Sequence, residues 1–134
     1  MIRIRRIAPD ATAHSISIGP HSLITDMPAS NGGGDEGPDP HDLYDAALGA
    51  CKALTILWYA QRKGIAVEAL EVAITRDASA EKQGTYRLVA DISIGGDISD
   101  ATREELRAVA DRCPVHRLMT QVTTVIETRL TPNS

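Results

Sequence analysis

The sequence contains no phenylalanine, one tryptophan, three tyrosines and only two cysteines among its 134 residues. Two cysteines are too few for a disulfide-stabilised scaffold, and a reducing compartment keeps both as thiols. Basic residues are not in excess, since the net charge is −4, which argues against nucleic acid or an anionic membrane surface as the main partner. The hydrophobic share of 43% and the charged share of 24% are those of one ordinary globular domain.

The chain also lacks a hydrophobic run long enough to cross a membrane. Its first residues, MIRIRRIAPD, alternate hydrophobic and basic side chains, which is typical of a strand and not of a signal peptide. The most hydrophobic segment, residues 40–63, is interrupted by polar and charged residues. We therefore expect a soluble cytoplasmic protein without a membrane partner.

Residues 40–63, PHDLYDAALGACKALTILWYAQRK, are predicted to form one long central helix. Hydrophobic residues recur in it with a period of 3.6, and Lys52 is the only charged residue between Asp45 and Arg62. A helix this apolar is expected to be buried. The pattern places Cys51 on the buried side, together with Tyr44, Ala47, Thr55 and Trp58. It places Lys52 on a thin polar side, where we expect a charge that faces solvent or a subunit interface.

Alternating patterns predict strands before and after this helix, in a single domain. The predicted segments are an N-terminal β-meander (1–26), a loop rich in Gly and Pro (27–39), a β-hairpin (66–94), two helices (99–119) and a C-terminal strand (121–130). Hairpins without βαβ crossovers indicate an α+β fold with mainly antiparallel sheets around the central helix. One chain of this size provides little cover for a helix buried on all sides, so we expect a second subunit to pack on it.

The second cysteine lies in the motif Cys113-Pro114-Val115-His116, where proline is predicted to begin a helix. The positive end of a helix dipole favours a thiolate, so we expect a lowered thiol pKa at Cys113. His116, one turn later, is able to hydrogen-bond to the sulfur or share its charge. The alternative is that both cysteines are small buried hydrophobic residues and that His116 lies at an ordinary helix corner.

The two cysteines are far apart in the sequence, but both lie on apolar helical stripes, which face a core. If the sulfurs meet, one chemistry open to them is that of a two-cysteine peroxidase, in which one thiolate becomes a sulfenic acid and the other thiol captures it as a disulfide. Such a site needs a cation or hydrogen-bond donor near the attacking sulfur.

The segments DLYDAALGAC and CPVH, each at a predicted helix, resemble the paired motifs of the OsmC/Ohr superfamily of osmotically inducible and organic hydroperoxide resistance proteins. The segments GPHSLITDMP and GPDPHDL resemble one uncharacterised OsmC-like branch more than the best-studied peroxidases. The resemblance covers residues 16–130. It implies an OsmC-like fold in an intertwined homodimer, with active sites at the subunit interface.

The same resemblance implies an enzyme that reduces organic hydroperoxides in oxidative stress defence. Cys51 would be the peroxidatic thiol and Cys113 the resolving thiol, with a small-molecule or lipoyl dithiol as reductant and with no metal or organic cofactor. In the characterised peroxidases of the family, a proline about ten residues before the first cysteine is followed by a Glu that pairs with an Arg over the sulfur. This chain has His41 at that position and Asp42 after it. His41, Asp42 and His116 are therefore the candidate assisting residues.

The arginine that would pair with the acid is not assigned by the sequence. Arg3, Arg5 and Arg6 precede the helix, but they lie in an alternating strand and are expected to face solvent. The histidines His14 and His21 are read as ordinary polar residues of a strand and a turn.

Two other functions remain open. A non-catalytic dimer of the same fold would bind a small apolar ligand between its subunits, in a pocket lined by Trp58 and Tyr44. A zinc site would use Cys51, Cys113, His116 and His41, whose side chains are of the types that zinc prefers.

Overall fold

The computed structural model describes residues 1–132, which form an α+β fold. Its strands and α-helices are β1 (Ile2–Arg6), β2 (His14–Ile18), β3 (His21–Thr25), α1 (Pro40–Lys63), β4 (Ala69–Asp77), β5 (Arg87–Gly95), α2 (Asp100–Ala110) and α3 (Pro114–Thr120). Contacts divide the chain into two compact units. The first consists of residues 1–47 and 76–88, and the second of residues 48–75 and the chain from residue 89 onward. Within the described residues, no helix is both long and apolar enough to cross a membrane.

The first unit contains the predicted meander. Strands β1, β2 and β3 pair in that order as an antiparallel sheet, in which Ile16 lies opposite Ile4 on one side and Leu23 on the other. Hydrophobic residues thus share one face of the sheet, as period-two alternation requires. Ile16 of β2 and Ala13, immediately before this strand, are buried.

The loop that follows β3 is held in place by the buried Asp26 carboxylate. It accepts hydrogen bonds from Thr12 Oγ1 at 2.5 Å and from the backbone N–H groups of Met27 at 2.7 Å and Glu36 at 3.1 Å. The Thr12 hydrogen bond is the main reason why the pKa of Asp26 lies below its usual range. A carboxyl with a lowered folded pKa stabilises the fold at neutral pH, and this contribution is lost as the pH falls through that pKa.

Gly37 shows why this loop is rich in glycine. A Cβ atom at Gly37 would lie 2.3 Å from the carbonyl oxygen of Ile24, so no other residue fits there without moving the backbone. The loop therefore packs closely along the end of β3.

The core of the second unit lies between helices α1 and α2. Ile56 and Ala60 of α1 pack with Leu106 and Ala110 of α2, and these four side chains are almost completely buried. Partly buried hydrophobic residues surround them, namely Tyr59, Ile65, Val67, Leu70, Ile92, Ile94 and Ile98. Ser99 caps α2 by accepting a hydrogen bond from the Thr102 N–H at 3.1 Å.

The prediction of which side of α1 is buried was wrong. The buried residues of α1 follow the line Leu48, Lys52, Ile56 and Ala60, whereas Leu54 and Trp58 are 66% and 55% exposed. Periodicity could not select a face because the helix is apolar nearly all round. Packing selects it, since Gly49 has no Cβ and lets Ile74 approach α1; a Cβ there would lie 3.0 Å from Ile74 Cγ1.

The predicted C-terminal strand is also wrong for the described chain. Residues 121–130 have no regular secondary structure and are exposed, including the hydrophobic side chains of Val125, Ile126 and Leu130. A strand needs a neighbouring strand to satisfy its backbone hydrogen bonds. No strand within residues 1–132 pairs with this segment.

Candidate active site

Two free thiols lie together in the second unit. Cys51 belongs to α1 and is partly exposed, whereas Cys113 lies immediately before α3 and is 0% exposed. Cys51 Sγ accepts a hydrogen bond from the N–H of Val115, two residues after Cys113, and the Cys51 side chain is near enough to Cys113 to influence the pKa of its thiol. The structure thus brings together the two sequence-predicted cysteines, which is the first requirement for a disulfide between them.

The backbone at the start of α3 provides a donor for Cys51. Pro114 occupies the first turn of the helix, where its missing N–H would have no intrahelical acceptor, and the next N–H group is free to point outward. The N–H of Val115 donates to Cys51 Sγ at 3.5 Å. A backbone donor aimed at a sulfur stabilises negative charge on it.

The expected lowering of the Cys113 pKa is wrong. Burial raises the pKa of this thiol, and the neighbouring Cys51 thiol adds to the increase. The backbone N–H of His116 and the charge of Lys52 act in the opposite direction, and they do not outweigh the burial. The sequence correctly predicted that Cys113 lies immediately before the start of a helix. It could not show that Cys113 is completely buried.

Lys52 is the site residue that sequence reasoning placed wrongly. Its side chain is buried, with 4% exposure, and its ammonium donates to the carbonyl oxygen of Ala110 and to His116 Nδ1, both at 2.9 Å. Since Nδ1 accepts this bond, the neutral imidazole of His116 carries its proton on Nε2. Leu48, Lys52 and Ile56 follow one another at intervals of four residues and therefore share one face of the helix. This spacing could have indicated that Lys52 lies on the buried face.

The other two candidate residues, His41 and Asp42, belong to the first unit. His41 Nε2 lies 2.8 Å from Glu81 Oε1, and both side chains are about half exposed. Asp42 forms an ion pair with Arg76, which is the main reason why the pKa of Asp42 is lowered. His41 and Asp42 thus belong to an exposed cluster of charged and polar side chains at the beginning of α1. A role for either residue in assisting catalysis stays a prediction.

Arg76 is the arginine that pairs with Asp42. Besides Asp42 it contacts the buried Asp45, with Nε 2.6 Å from Oδ2, and Asp45 also accepts a hydrogen bond from the Tyr86 hydroxyl at 2.7 Å. Burial, together with this hydrogen bond, raises the pKa of Tyr86 to about 12. In the sequence AVEALEVAITR, Arg76 follows Leu70, Val72 and Ile74 at intervals of two residues. This alternation could have indicated that Arg76 lies on the same face of the strand as these hydrophobic residues. Arg3, Arg5 and Arg6 are exposed on β1, as expected.

The first unit also contains a cavity of about 320 Å³, lined by Pro40, His41, Tyr44, Glu81 and Tyr86. Tyr44 and Trp58 were predicted to line an apolar ligand pocket, and of these two Tyr44 lines this cavity. Ligand binding between subunits stays a prediction. The zinc alternative is not supported, because no three His, Cys, Asp or Glu side chains within residues 1–132 are arranged to hold a metal ion.

Comparison with known proteins gives a consistent result. The sequence model of the family described as OsmC-like protein matches residues 32–128. No curated protein shows significant sequence similarity to this chain.

Several solved structures share the fold. An OsmC-like protein from Mycoplasma pneumoniae is 20% identical with a TM-score of 0.71, and the match covers 91% of this chain and 87% of that one. An organic hydroperoxide resistance protein from Legionella pneumophila is 20% identical with a TM-score of 0.64 and 90% coverage of both chains. The organic hydroperoxide resistance protein OhrB of Bacillus subtilis is 18% identical with a TM-score of 0.61, covering 90% of this chain and 91% of its own. At these identities the similarity establishes the fold.

Proposed function

This chain belongs to the OsmC-like protein family, and from that membership we propose that it is a thiol-dependent peroxidase that reduces organic hydroperoxides in oxidative stress defence. The observation that carries the proposal is that the partly exposed Cys51 lies next to the segment of the buried Cys113, since Cys51 Sγ accepts a hydrogen bond from the Val115 N–H at 3.5 Å. The names of the similar structures, which include organic hydroperoxide resistance proteins, support the substrate class.

Cys51 is the peroxidatic residue in this proposal because it is the thiol that a substrate can reach. Its thiolate attacks the terminal oxygen of the hydroperoxide, so that an S–O bond forms and the O–O bond breaks. Cys51 becomes a sulfenic acid, and the alkoxide leaves as the alcohol after it takes up a proton. The Val115 N–H, 3.5 Å from Cys51 Sγ, favours the attacking thiolate.

Cys113 is the resolving residue. It loses its proton and attacks the sulfur of the Cys51 sulfenic acid, forming a disulfide and releasing hydroxide, which combines with that proton as water. A small-molecule or lipoyl dithiol then reduces the disulfide by two successive thiol exchanges and is itself oxidised to a disulfide. The cycle needs no metal and no organic cofactor.

The test is a mass measurement after addition of one equivalent of cumene hydroperoxide to the reduced protein. We expect the mass to fall by two hydrogens per chain, and peptide mapping to join Cys51 to Cys113. Consumption of hydroperoxide driven by dihydrolipoamide should continue over many turnovers. A protein that stays fully reduced under these conditions would not be a peroxidase of this class.

We further propose that the protein is a homodimer in which α1 packs on a second subunit. Leu54 and Trp58, one turn apart, expose large hydrophobic side chains on α1, and the C-terminal segment exposes Val125, Ile126 and Leu130. Hydrophobic surface of this extent on a soluble domain is typical of an interface.

Leu54→Glu is expected to convert the dimer to monomers, because it introduces a charge into the proposed contact. Size-exclusion chromatography with light scattering, at micromolar protein concentration, measures the molar mass directly. The matched control is Val89→Glu, an exposed hydrophobic position on β5, which should leave the mass unchanged. A wild-type protein that elutes with the mass of one chain would exclude the dimer.

A further inference from the structure

Lys52 is a buried cation without an acidic partner. Its two hydrogen-bond acceptors, the Ala110 carbonyl oxygen and His116 Nδ1, are both neutral, and none of the ion pairs within residues 1–132 includes it. Burying an ammonium is costly unless a negative charge compensates it. We therefore expect that the buried ammonium is compensated in another state of the protein, in which a negative charge lies beside it.

The missing negative charge is available beside it as a thiolate. The Ala110 carbonyl oxygen that accepts from Lys52 Nζ at 2.9 Å also accepts from the Cys113 N–H at 3.4 Å, so the ammonium lies beside Cys113. Cys51 and Lys52 act on the Cys113 thiol through their side chains, and His116 acts through its backbone N–H. Of these only Lys52 carries a positive charge when His116 is neutral, and its effect on Cys113 is to favour the ionised form. Burial of Cys113 has the opposite effect and raises the pKa of this thiol. The chemistry of disulfide formation nevertheless requires it to ionise.

We propose that Lys52, held in place by His116, is the positioning residue whose charge compensates the Cys113 thiolate and thereby sets the rate of disulfide closure. The placement of this step in a catalytic cycle rests on the proposed peroxidase function. In the step itself, the Cys113 thiolate attacks the Cys51 sulfur, the S–S bond forms as the bond from Cys51 to its leaving group breaks, and the leaving group departs with the electron pair. When the leaving group is hydroxide, the proton from Cys113 converts it to water.

The closure step can be measured without any hydroperoxide. The neutral reagent 4,4′-dithiodipyridine reacts first with the partly exposed Cys51, giving a mixed disulfide and one thiopyridone. Cys113 then displaces the second thiopyridone and closes the Cys51–Cys113 disulfide. Stopped-flow absorbance separates the two phases. A neutral reagent is chosen so that the charge of Lys52 does not change its approach.

Lys52→Met is expected to slow the second phase about tenfold or more at pH 7 and to move its pH midpoint upward by about one unit, since one pKa unit corresponds to a tenfold change in thiolate. The first phase should change by less than about threefold. The matched control, Lys63→Met, removes an exposed charge at the end of the same helix and should leave both phases as in the wild type.

His116 supplies a second pair of variants in case Lys52→Met does not fold. His116→Asn keeps an acceptor at the position of Nδ1, whereas His116→Leu removes it. Closure in His116→Asn should stay close to the wild-type rate, and in His116→Leu it should slow with the same upward change of the pH midpoint. A residue that only maintained the fold would not move a pH midpoint in this selective way.

The outcomes separate the two proposals. The role of Lys52 would be overturned if folded Lys52→Met closed the disulfide at the wild-type rate and with the wild-type pH midpoint. It would also be overturned if His116→Leu and His116→Asn had the same rate and the same midpoint. Closure that depends on Lys52, in a protein that consumes no hydroperoxide, would support that role and refute the peroxidase function.

Discussion

Replacement of Cys51 by serine is expected to reduce hydroperoxide consumption to the rate of the buffer alone. The serine hydroxyl is almost entirely un-ionised at neutral pH and is a far weaker nucleophile toward the O–O bond than a thiolate. The loss should therefore be at least about a thousandfold in kcat/KM, measured by consumption of cumene hydroperoxide with dihydrolipoamide as reductant.

Cys113→Ser provides the matched comparison because it removes the second sulfur and leaves the first in place. We expect one equivalent of hydroperoxide per chain to be consumed quickly, with little turnover afterwards. The sulfenic acid on Cys51 should then be trapped by dimedone and detected by mass. Equal residual turnover in the two single variants would contradict the assignment of Cys51 as peroxidatic and Cys113 as resolving.

Arg103→Met is expected to cause the largest loss of stability among single surface substitutions in the second unit. The Arg103 guanidinium donates to three backbone carbonyl oxygens, those of Ile94 at 2.9 Å, Ile98 at 2.8 Å and Gly96 at 3.0 Å. It thus ties α2 to the end of β5 and to the turn that follows it. Loss of three hydrogen bonds from a charged donor should lower the free energy of unfolding by about 3 kcal/mol.

Urea denaturation at fixed protein concentration measures this change as a lower midpoint with an unchanged slope. Arg107→Met is the control, one turn further along α2. Within residues 1–132, Arg107 forms ion pairs with the exposed side chains of Glu104 at 2.8 Å and Asp111 at 3.1 Å, and such pairs contribute less than about 1 kcal/mol. If the two variants lose the same stability, the three carbonyl contacts are not what stabilises the turn.

The sequence determined most of the local structure of this protein. The central helix has the predicted limits, Pro40 to Lys63, because proline fits a first turn and Gly64, at a φ of 68°, ends the helix with a conformation that other residues avoid. The strands of the meander and the hairpin follow from period-two alternation. The resemblance of the LGAC and CPVH segments to one family also depends on sequence alone, and the family match and the fold confirm it.

Only the tertiary structure decided which side of α1 is buried, and three site features depend on that choice. Lys52 lies inside and Trp58 outside, Cys113 is fully buried so that its pKa is raised, and Cys51 is its neighbour. Periodicity gives the spacing of a stripe, but in a helix that is apolar nearly all round it does not select the face. That selection comes from contacts between residues far apart in the chain, such as the close approach of Ile74 at Gly49 and the hydrogen bond from Lys52 to Ala110. The C-terminal alternation shows the same limit, because a strand pattern does not form a strand without a neighbour to pair with.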